Sequence, residues 1–319
     1  MNDSKLKFSF VVPIYHDGYL AEEFVLEFES VFKKWLGEPL IHKLAELIFV
    51  FDGGNKDSLD ILINLHEKFP FVRIIELSRN FGQHIALSCG YEHAKGDYVG
   101  MMNVDMEDPP NQIPLLLDYL VNNNDCDIVY GLRKERKGPF IERMTSKWFQ
   151  FILNKLTGND FPLNASTLRI MNRKFVDTYN SLNEKSRYIP GLEMWIGFKQ
   201  GFVPTDHQIR KKGKSSYNFK RRIAMAFEAI ISFSDLPLRW FIGFGFAVAI
   251  VGFLLSAVLV VKQFFYEDMQ PGYTSTISLI VLFSGLQMTL LGMLGLYIGR
   301  ILKEVQNRPL YVIRNKYNF

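Results

Sequence analysis

Two stretches of this chain carry no charged side chain: residues 240–261, 22 in all, and residues 274–299, 26 in all. As helices rising about 1.5 Å per residue, each exceeds the ~30 Å hydrocarbon core of a bilayer. A helix of a soluble protein rarely runs so far without a polar stripe, so the pattern predicts two membrane-spanning helices. The flanks orient the pair. Lys220, Arg221, Arg222 and Arg239 precede the first span, and Arg300, Lys303, Arg308, Arg314 and Lys316 follow the second. The connection between them, 262–275, sets Lys262 against Glu267 and Asp268. This excess of Lys and Arg predicts a multi-pass protein of the plasma (inner) membrane, with both termini cytoplasmic and the short connection outside. Residues 1–7 are polar and the apolar run after them is too short for a secretory signal. The expected organisation is a cytoplasmic domain over 1–205, a basic loop and interfacial helix over 206–235, two transmembrane helices within 236–302 (about 240–261 and 275–299), and a cytoplasmic tail over 303–319.

Before residue 206 the pattern alternates. Apolar runs at 8–14, 47–51, 72–77, 98–102 and 127–130 read as strands, and helical periodicity falls at 22–36, 57–69, 83–94 and 112–122. Such alternation predicts an α/β domain with a mostly parallel sheet covered by helices. The net charge is only +4 over 319 residues, which excludes a general polyanion binder. Cys89 and Cys126 form no CxxC, so a reducing compartment without structural disulfides is expected. The 6 histidines lack metal-ligand spacing, and a structural role is expected even of His84, beside Asn80-Phe81-Gly82.

No strand is followed by G-x-G-x-x-G or a Walker A loop, which removes the main support for nicotinamide chemistry or ATP hydrolysis. Acidic and small residues stand at the strand ends instead: Asp17, Asp52-Gly53-Gly54, and Asn103-Val104-Asp105-Met106-Glu107-Asp108-Pro109-Pro110. In open α/β sheets ligands bind at the C-terminal edge of the strands. Carboxylates at i and i+2 of an extended segment point the same way, so Asp105 and Glu107 can share one hard cation. A solvated acidic turn is the alternative. Such an edge suits ribose hydroxyls and, through a divalent cation, the diphosphate of a nucleotide-sugar.

Taken in order, several segments resemble the motifs of family 2 glycosyltransferases of GT-A fold. They are Val11-Val12-Pro13-Ile14-Tyr15-His16-Asp17, Phe49-Val50-Phe51-Asp52-Gly53-Gly54, Ser78-Arg79-Asn80-Phe81-Gly82-Gln83 and Asp105-Met106-Glu107-Asp108-Pro109-Pro110. The likeness continues through Val129-Tyr130-Gly131-Leu132-Arg133, Ser232-Phe233-Ser234, Pro237-Leu238-Arg239, Tyr297-Ile298-Gly299-Arg300 and Arg308-Pro309-Leu310-Tyr311. It is closest in kind to the polyprenyl-phosphate glycosyltransferases, and it covers nearly the whole chain. The resemblance implies transfer of one sugar from a UDP- or GDP-linked donor to a membrane polyprenyl phosphate, an inverting displacement with the acceptor phosphate as nucleophile. It implies a GT-A sheet followed by interfacial helices and a two-helix transmembrane hairpin, and a homo-oligomer. Pro13, Tyr15, Asp17, Asp52, Arg79 and Asn103 would line the nucleotide pocket, and Asp105 and Glu107 would hold Mg²⁺ or Mn²⁺. Asp105, Arg133 and Arg169 are the implied catalytic residues.

Four positions depart from the family pattern. Phe51 stands where the first of two paired Asp residues is usual, Asn103 replaces the first Asp of Asp-x-Asp, and Glu107 replaces a Gln. Ala165-Ser166-Thr167-Leu168-Arg169 stands where many relatives have an Asp before Phe-Arg-Leu. A catalytically degenerate scaffold or regulator therefore stays open as an alternative. So does a processive polysaccharide synthase, although extra spans and a Gln-x-x-Arg-Trp motif are missing.

The segment 207–222 holds seven Lys or Arg and no acid. Within it, Arg210, Lys211, Lys214, Ser215 and Tyr217 mix charge with Gly213 and hydroxyls, a composition suited to wrapping the acceptor phosphate. Nucleic acid is the rival ligand, but the nearby spans point to lipid headgroups. Residues 140–156, with Trp148, Phe149 and Phe151 beside Arg143 and Lys147, and residues 223–233 read as interfacial helices. A core helix is the equal alternative for the first. Arg136, near Arg133, can face the acceptor or the solvent.

Overall fold

The computed structural model describes residues 6–37, 44–123, 125–133, 165–185, 187–206, 243–248, 250–252, 254, 258 and 272–319. The chain forms two compact units, residues 1–225 with 309–319, and residues 226–308.

The first unit is built on one eight-stranded sheet in the order β7-β5-β6-β4-β1-β2-β3-β8. Its strands are β1 (Phe8–Ile14), β2 (Ala45–Phe51), β3 (Val72–Leu77), β4 (Tyr98–Met101), β5 (Ile128–Arg133), β6 (Ala165–Asn172), β7 (Gln200–Thr205) and β8 (Ile313–Tyr317). The heart, β3-β2-β1-β4, is parallel, because each strand is followed by a crossover helix. Those helices are α1 (Ala21–Leu36), α2 (Lys56–Lys68) and α3 (Gln83–His93), with α4 (Ile113–Asn122) leading to β5. The expected bounds differ from these by only a few residues.

Three strands lay outside the sequence reading. β6 inserts antiparallel between β4 and β5, β7 pairs parallel with β5 at one edge, and β8 pairs antiparallel with β3 at the other. The sheet is thus mixed toward its edges rather than uniformly parallel. The C-terminal segment, expected as a tail, is part of the sheet.

Packing follows from strand alternation. Phe8, Phe10, Val12 and Ile14 of β1 join Phe49 of β2 and one face of α1, namely Phe24, Phe28 and Phe32, in a buried core. These α1 residues recur at helical spacing, Glu22 and Glu23 begin the helix, Lys33 and Lys34 end it, and Gly37 at φ 90° stops it. The opposite face, with Val11 and Ile48, is covered by α3 and by α5 (Arg173–Ser181). A short helix, α6 (Ile189–Trp195), precedes β7.

In the second unit, α7 (Tyr273–Val305) is 33 residues long. Its portion Phe283–Val305 is apolar and long enough to cross a membrane. Of the first expected span, residues 243–248 and 250–252 are helical, and most of the rest lies outside the described residues. A second membrane-length helix is therefore not established.

Candidate active site

Because β1 to β4 run parallel, their C-terminal ends open on one edge, and the four loops that follow them meet there. The Asp52 N–H donates to Ile14 O (2.8 Å) and the Met102 N–H to Val11 O (3.1 Å), locking the first residues beyond the strands in register. Two glycines bring the loops into contact. Gly53 adopts φ 64°, and a Cβ there would strike the Arg79–Asn80 backbone. A Cβ on Gly54 would collide with the Tyr15 carbonyl. The Asp-Gly-Gly sequence is thus what lets the β2 loop touch both neighbours.

Asp52 is buried, and its two carboxylate oxygens accept the N–H groups of Phe81 (2.7 Å) and Gly82 (2.8 Å). Burial pushes this carboxyl up, against the opposing pull of those two N–H groups and Arg79. Asp52 therefore shapes the pocket from behind by fixing the β3 loop. Arg79 is exposed and lies over the Phe81 ring at 4.3 Å, and Tyr15 is exposed just beyond β1, its ring tilted against His16. Pro13 and Asp17 are half-buried at the end of β1.

The acidic segment after β4 is a turn, not the extended segment expected. Residues 104–105 turn, and Met106, buried, takes the left-handed conformation at φ 55°. A non-glycine residue held there stores backbone strain of about 1–3 kcal/mol, a feature that concentrates at functional sites. Asp105 and Glu107 are held on this turn by the Glu107 N–H, which donates to Asp105 Oδ1 (3.3 Å). Among the described residues, no group of three or more His, Cys, Asp or Glu is placed to hold a metal. The donors available here are these two carboxylates with Asn103 alongside. That set fits Mg²⁺ or Mn²⁺, which bind through one or two carboxylates plus substrate phosphates.

Two of the departures from the family pattern touch each other. Gln83 Nε2 donates to Asn103 Oδ1 (3.3 Å), Asn103 Nδ2 donates to Thr167 Oγ1 (3.3 Å), and Thr167 Oγ1 donates to Asp108 Oδ2 (2.8 Å). The same Asp108 oxygen accepts the Thr167 N–H (3.2 Å) and Arg133 Nη2 (3.4 Å). Arg133 also lies 3.6 Å from Glu107. A neutral amide and hydroxyl thus relay hydrogen bonds from α3 to a buried carboxylate and its arginine. Phe51, the third departure, is a core residue.

Arg169 is placed differently from the other implied catalytic residues. It is buried, paired with the fully buried Glu193, which also accepts from the Tyr130 hydroxyl (3.0 Å). Its Nε donates to Thr167 O (3.2 Å). Arg169 therefore supports the site from beneath. The sequence motifs contain Asp108 and Gln83 but gave neither a role, and Glu193 was missed; a lone acid in the apolar run 189–196 was the available signal for it. Arg210, Lys211, Lys214, Ser215, Tyr217 and Arg136, and both expected interfacial helices, lie outside the described residues.

The first unit is thus a doubly covered α/β sheet whose parallel strand ends present acids and glycines on one edge, where ligands of such sheets bind. The sequence pattern of glycosyl transferase family 2 matches residues 9–179, and the chain belongs to that family of glycosyltransferases. It is 32% identical to an uncharacterized glycosyltransferase, YkcC, of Bacillus subtilis, over 98% of this chain and 94% of that one. It is also 32% identical to the SfII prophage-derived bactoprenol glucosyl transferase of Shigella flexneri, over 98% of this chain and 99% of that one. The fold is similar to that of glucosyl-3-phosphoglycerate synthase from Mycobacterium tuberculosis in complex with Mn²⁺, UDP and glucosyl-3-phosphoglycerate. There the TM-score is 0.51 at 18% identity, covering 71% of this chain and 78% of that one.

Proposed function

We propose that the protein transfers a single sugar from a UDP- or GDP-linked donor to a polyprenyl phosphate at the cytoplasmic face of the membrane. The observation that carries this reading is coverage. The bactoprenol glucosyl transferase relative matches 98% of this chain, and so extends through the apolar unit 226–308, well beyond the family pattern.

Connectivity supports a membrane hairpin. The chain leaves the catalytic unit before residue 226 and rejoins its sheet as β8. A segment that starts and finishes on one side of a membrane crosses it an even number of times. With α7 as one crossing, the second falls within residues 226–272. The basic flanks set the shared side as cytoplasmic, and the apolar helices are also where self-association into a homo-oligomer is expected.

In the reaction, an acceptor phosphate oxygen attacks the anomeric carbon as the glycosidic oxygen departs with the nucleoside diphosphate, inverting the configuration. A phosphate ester has a second pKa of about 6, so the acceptor is largely ionised at neutral pH. No strong base is then required, consistent with neutral Thr167 where relatives carry an acid. Arg133, between Glu107 and Asp108, is poised to meet phosphate charge. Asp105 and Glu107 would hold Mg²⁺ or Mn²⁺, which supplies charge neutralisation on the leaving diphosphate. Pro13, Tyr15, Asp17 and Arg79 line the nucleotide side, and the basic residues 210–217 are assigned to the acceptor. Membranes containing the protein, incubated with undecaprenyl phosphate, Mn²⁺ or Mg²⁺ and a panel of radiolabelled UDP- and GDP-sugars, should yield one labelled lipid. Absence of labelled lipid with every donor would refute the proposal.

A further inference from the structure

The loop after β3, Ser78-Arg79-Asn80-Phe81-Gly82, packs against the β2 loop at the strand edge, and its backbone is held from two directions. Asp52 grips its far end through the Phe81 and Gly82 N–H groups. Its near end is held by a segment more than two hundred residues away. The Ser78 N–H donates to Val312 O (2.9 Å), and Ser78 O accepts from Arg314 Nη2 (3.0 Å).

The pairing of β3 with β8 shows how Arg314 gets there. Ile74, Ile75 and Glu76 face Tyr317, Lys316 and Asn315, but Leu77 faces Ile313. One extra residue, Arg314, is therefore inserted in β8. A bulge of this kind re-aims a side chain, and bulges recur beside active sites. Here it sends the guanidinium past the end of β3, where Nη1 also meets Glu76 Oε1 (3.3 Å). Glu76 is buried, and its other oxygen accepts from Asn315 Nδ2 (2.6 Å). A buried carboxylate on β3 thus takes both named donors from the C-terminal strand, which fixes where that strand docks.

We infer that Arg314 is a positioning residue of the donor pocket: from the C-terminal strand it fixes the Ser78–Gly82 loop, and with it Arg79, for nucleotide binding. This rests on reading the strand edge as the nucleotide pocket. Arg314 and Asn315 share Glu76, but only Arg314 reaches the loop, so the two positions separate positioning from plain stability.

The test uses the full chain in detergent or native membranes, with binding of UDP and of GDP in the presence of Mn²⁺ measured by calorimetry, and donor KM and kcat measured alongside. Arg314→Ala should weaken nucleotide binding and raise donor KM about three- to tenfold, the range of one ordinary hydrogen bond, because solvent screens the charge of the exposed guanidinium. Its kcat should stay within about twofold of the parent. Arg314→Lys, which can reach Ser78 O or Glu76 but not both, should recover part of the loss. Asn315→Ala should lower thermal stability as Arg314→Ala does, yet leave nucleotide affinity unchanged. Unchanged affinity in Arg314→Ala, or an equal loss in Asn315→Ala, overturns the inference while leaving the donor pocket intact. If the parent protein binds neither nucleotide, the pocket reading fails and takes the inference with it.

Discussion

Removing the Glu193 carboxylate leaves the Arg169 guanidinium charged and buried without its counter-ion. Burial pushes the Glu193 carboxyl up, and Arg169 and Tyr130 pull it back, so the pair exists against a substantial desolvation penalty. Breaking a buried pair from one side costs about 3–5 kcal/mol, and the Tyr130 hydroxyl loses its acceptor as well. For a unit of this size about 1 kcal/mol moves the melting temperature by about 2–4 °C, so Glu193→Ala should lower it by about 6–20 °C. Replacing both charges, with Arg169→Met and Glu193→Leu together, removes the penalty along with the attraction and should recover most of that loss. Activity should not return with stability, because Arg169 Nε also holds the Thr167 carbonyl beneath the site. Thermal unfolding of the parent, Arg169→Met, Glu193→Leu and the double variant gives the coupling energy directly. A Glu193→Ala variant within about 1 kcal/mol of the parent would refute the argument. So would a coupling below about 0.5 kcal/mol.

Three further expectations concern the strand edge. Asp105→Asn should cost at least about a hundredfold in kcat/KM, the scale of the several kcal/mol a divalent cation contributes, with the melting temperature little changed; steady-state kinetics across Mn²⁺ concentrations check it. Gly54→Ala drives a methyl group into the Tyr15 carbonyl and should destabilise by about 1–3 kcal/mol while raising donor KM, measured by unfolding and by initial rates. His84 gives a pH signature. Burial, reinforced by Arg169, lowers its imidazole to about 4 from 6.5. The folded state therefore keeps His84 neutral, and stability falls as pH drops from about 6.5 toward 4, where the unfolded chain gains a proton the fold refuses. The loss attributable to His84 is up to about 3 kcal/mol, and the difference in melting temperature between parent and His84→Gln should change across that window and stay flat above it.

The parallel heart of the sheet was legible because β1 to β4 are buried apolar runs closed by Asp, Gly, Asn or Pro, the pattern that a doubly covered strand imposes. β8 was not, because Ile313-Arg314-Asn315-Lys316-Tyr317 lies at an edge and needs little apolar content. β6 carries Thr167, Arg169 and Asn172, whose polar groups reach Asp108, Glu193 and Asp127, partners remote in sequence, so its burial leaves no local trace. Within the site, the acids at 105, 107 and 108 announced themselves by density. Their geometry did not, since a left-handed Met106 has no sequence signature of the kind glycine or asparagine provides. The contact between Asn103 and Thr167, two positions far apart in the chain, emerges only when β4 and β6 lie side by side.

The docking of the C-terminal strand also orders the protein's birth. Glu76 and Arg314 are 238 positions apart, and residues 226–308, with α7, are synthesised between them. Until then β3 is an open edge of the nascent sheet, with a carboxylate awaiting its donors, the state in which strands pair wrongly or aggregate. A ribosome must finish almost the whole chain, apolar helix included, before that edge can close.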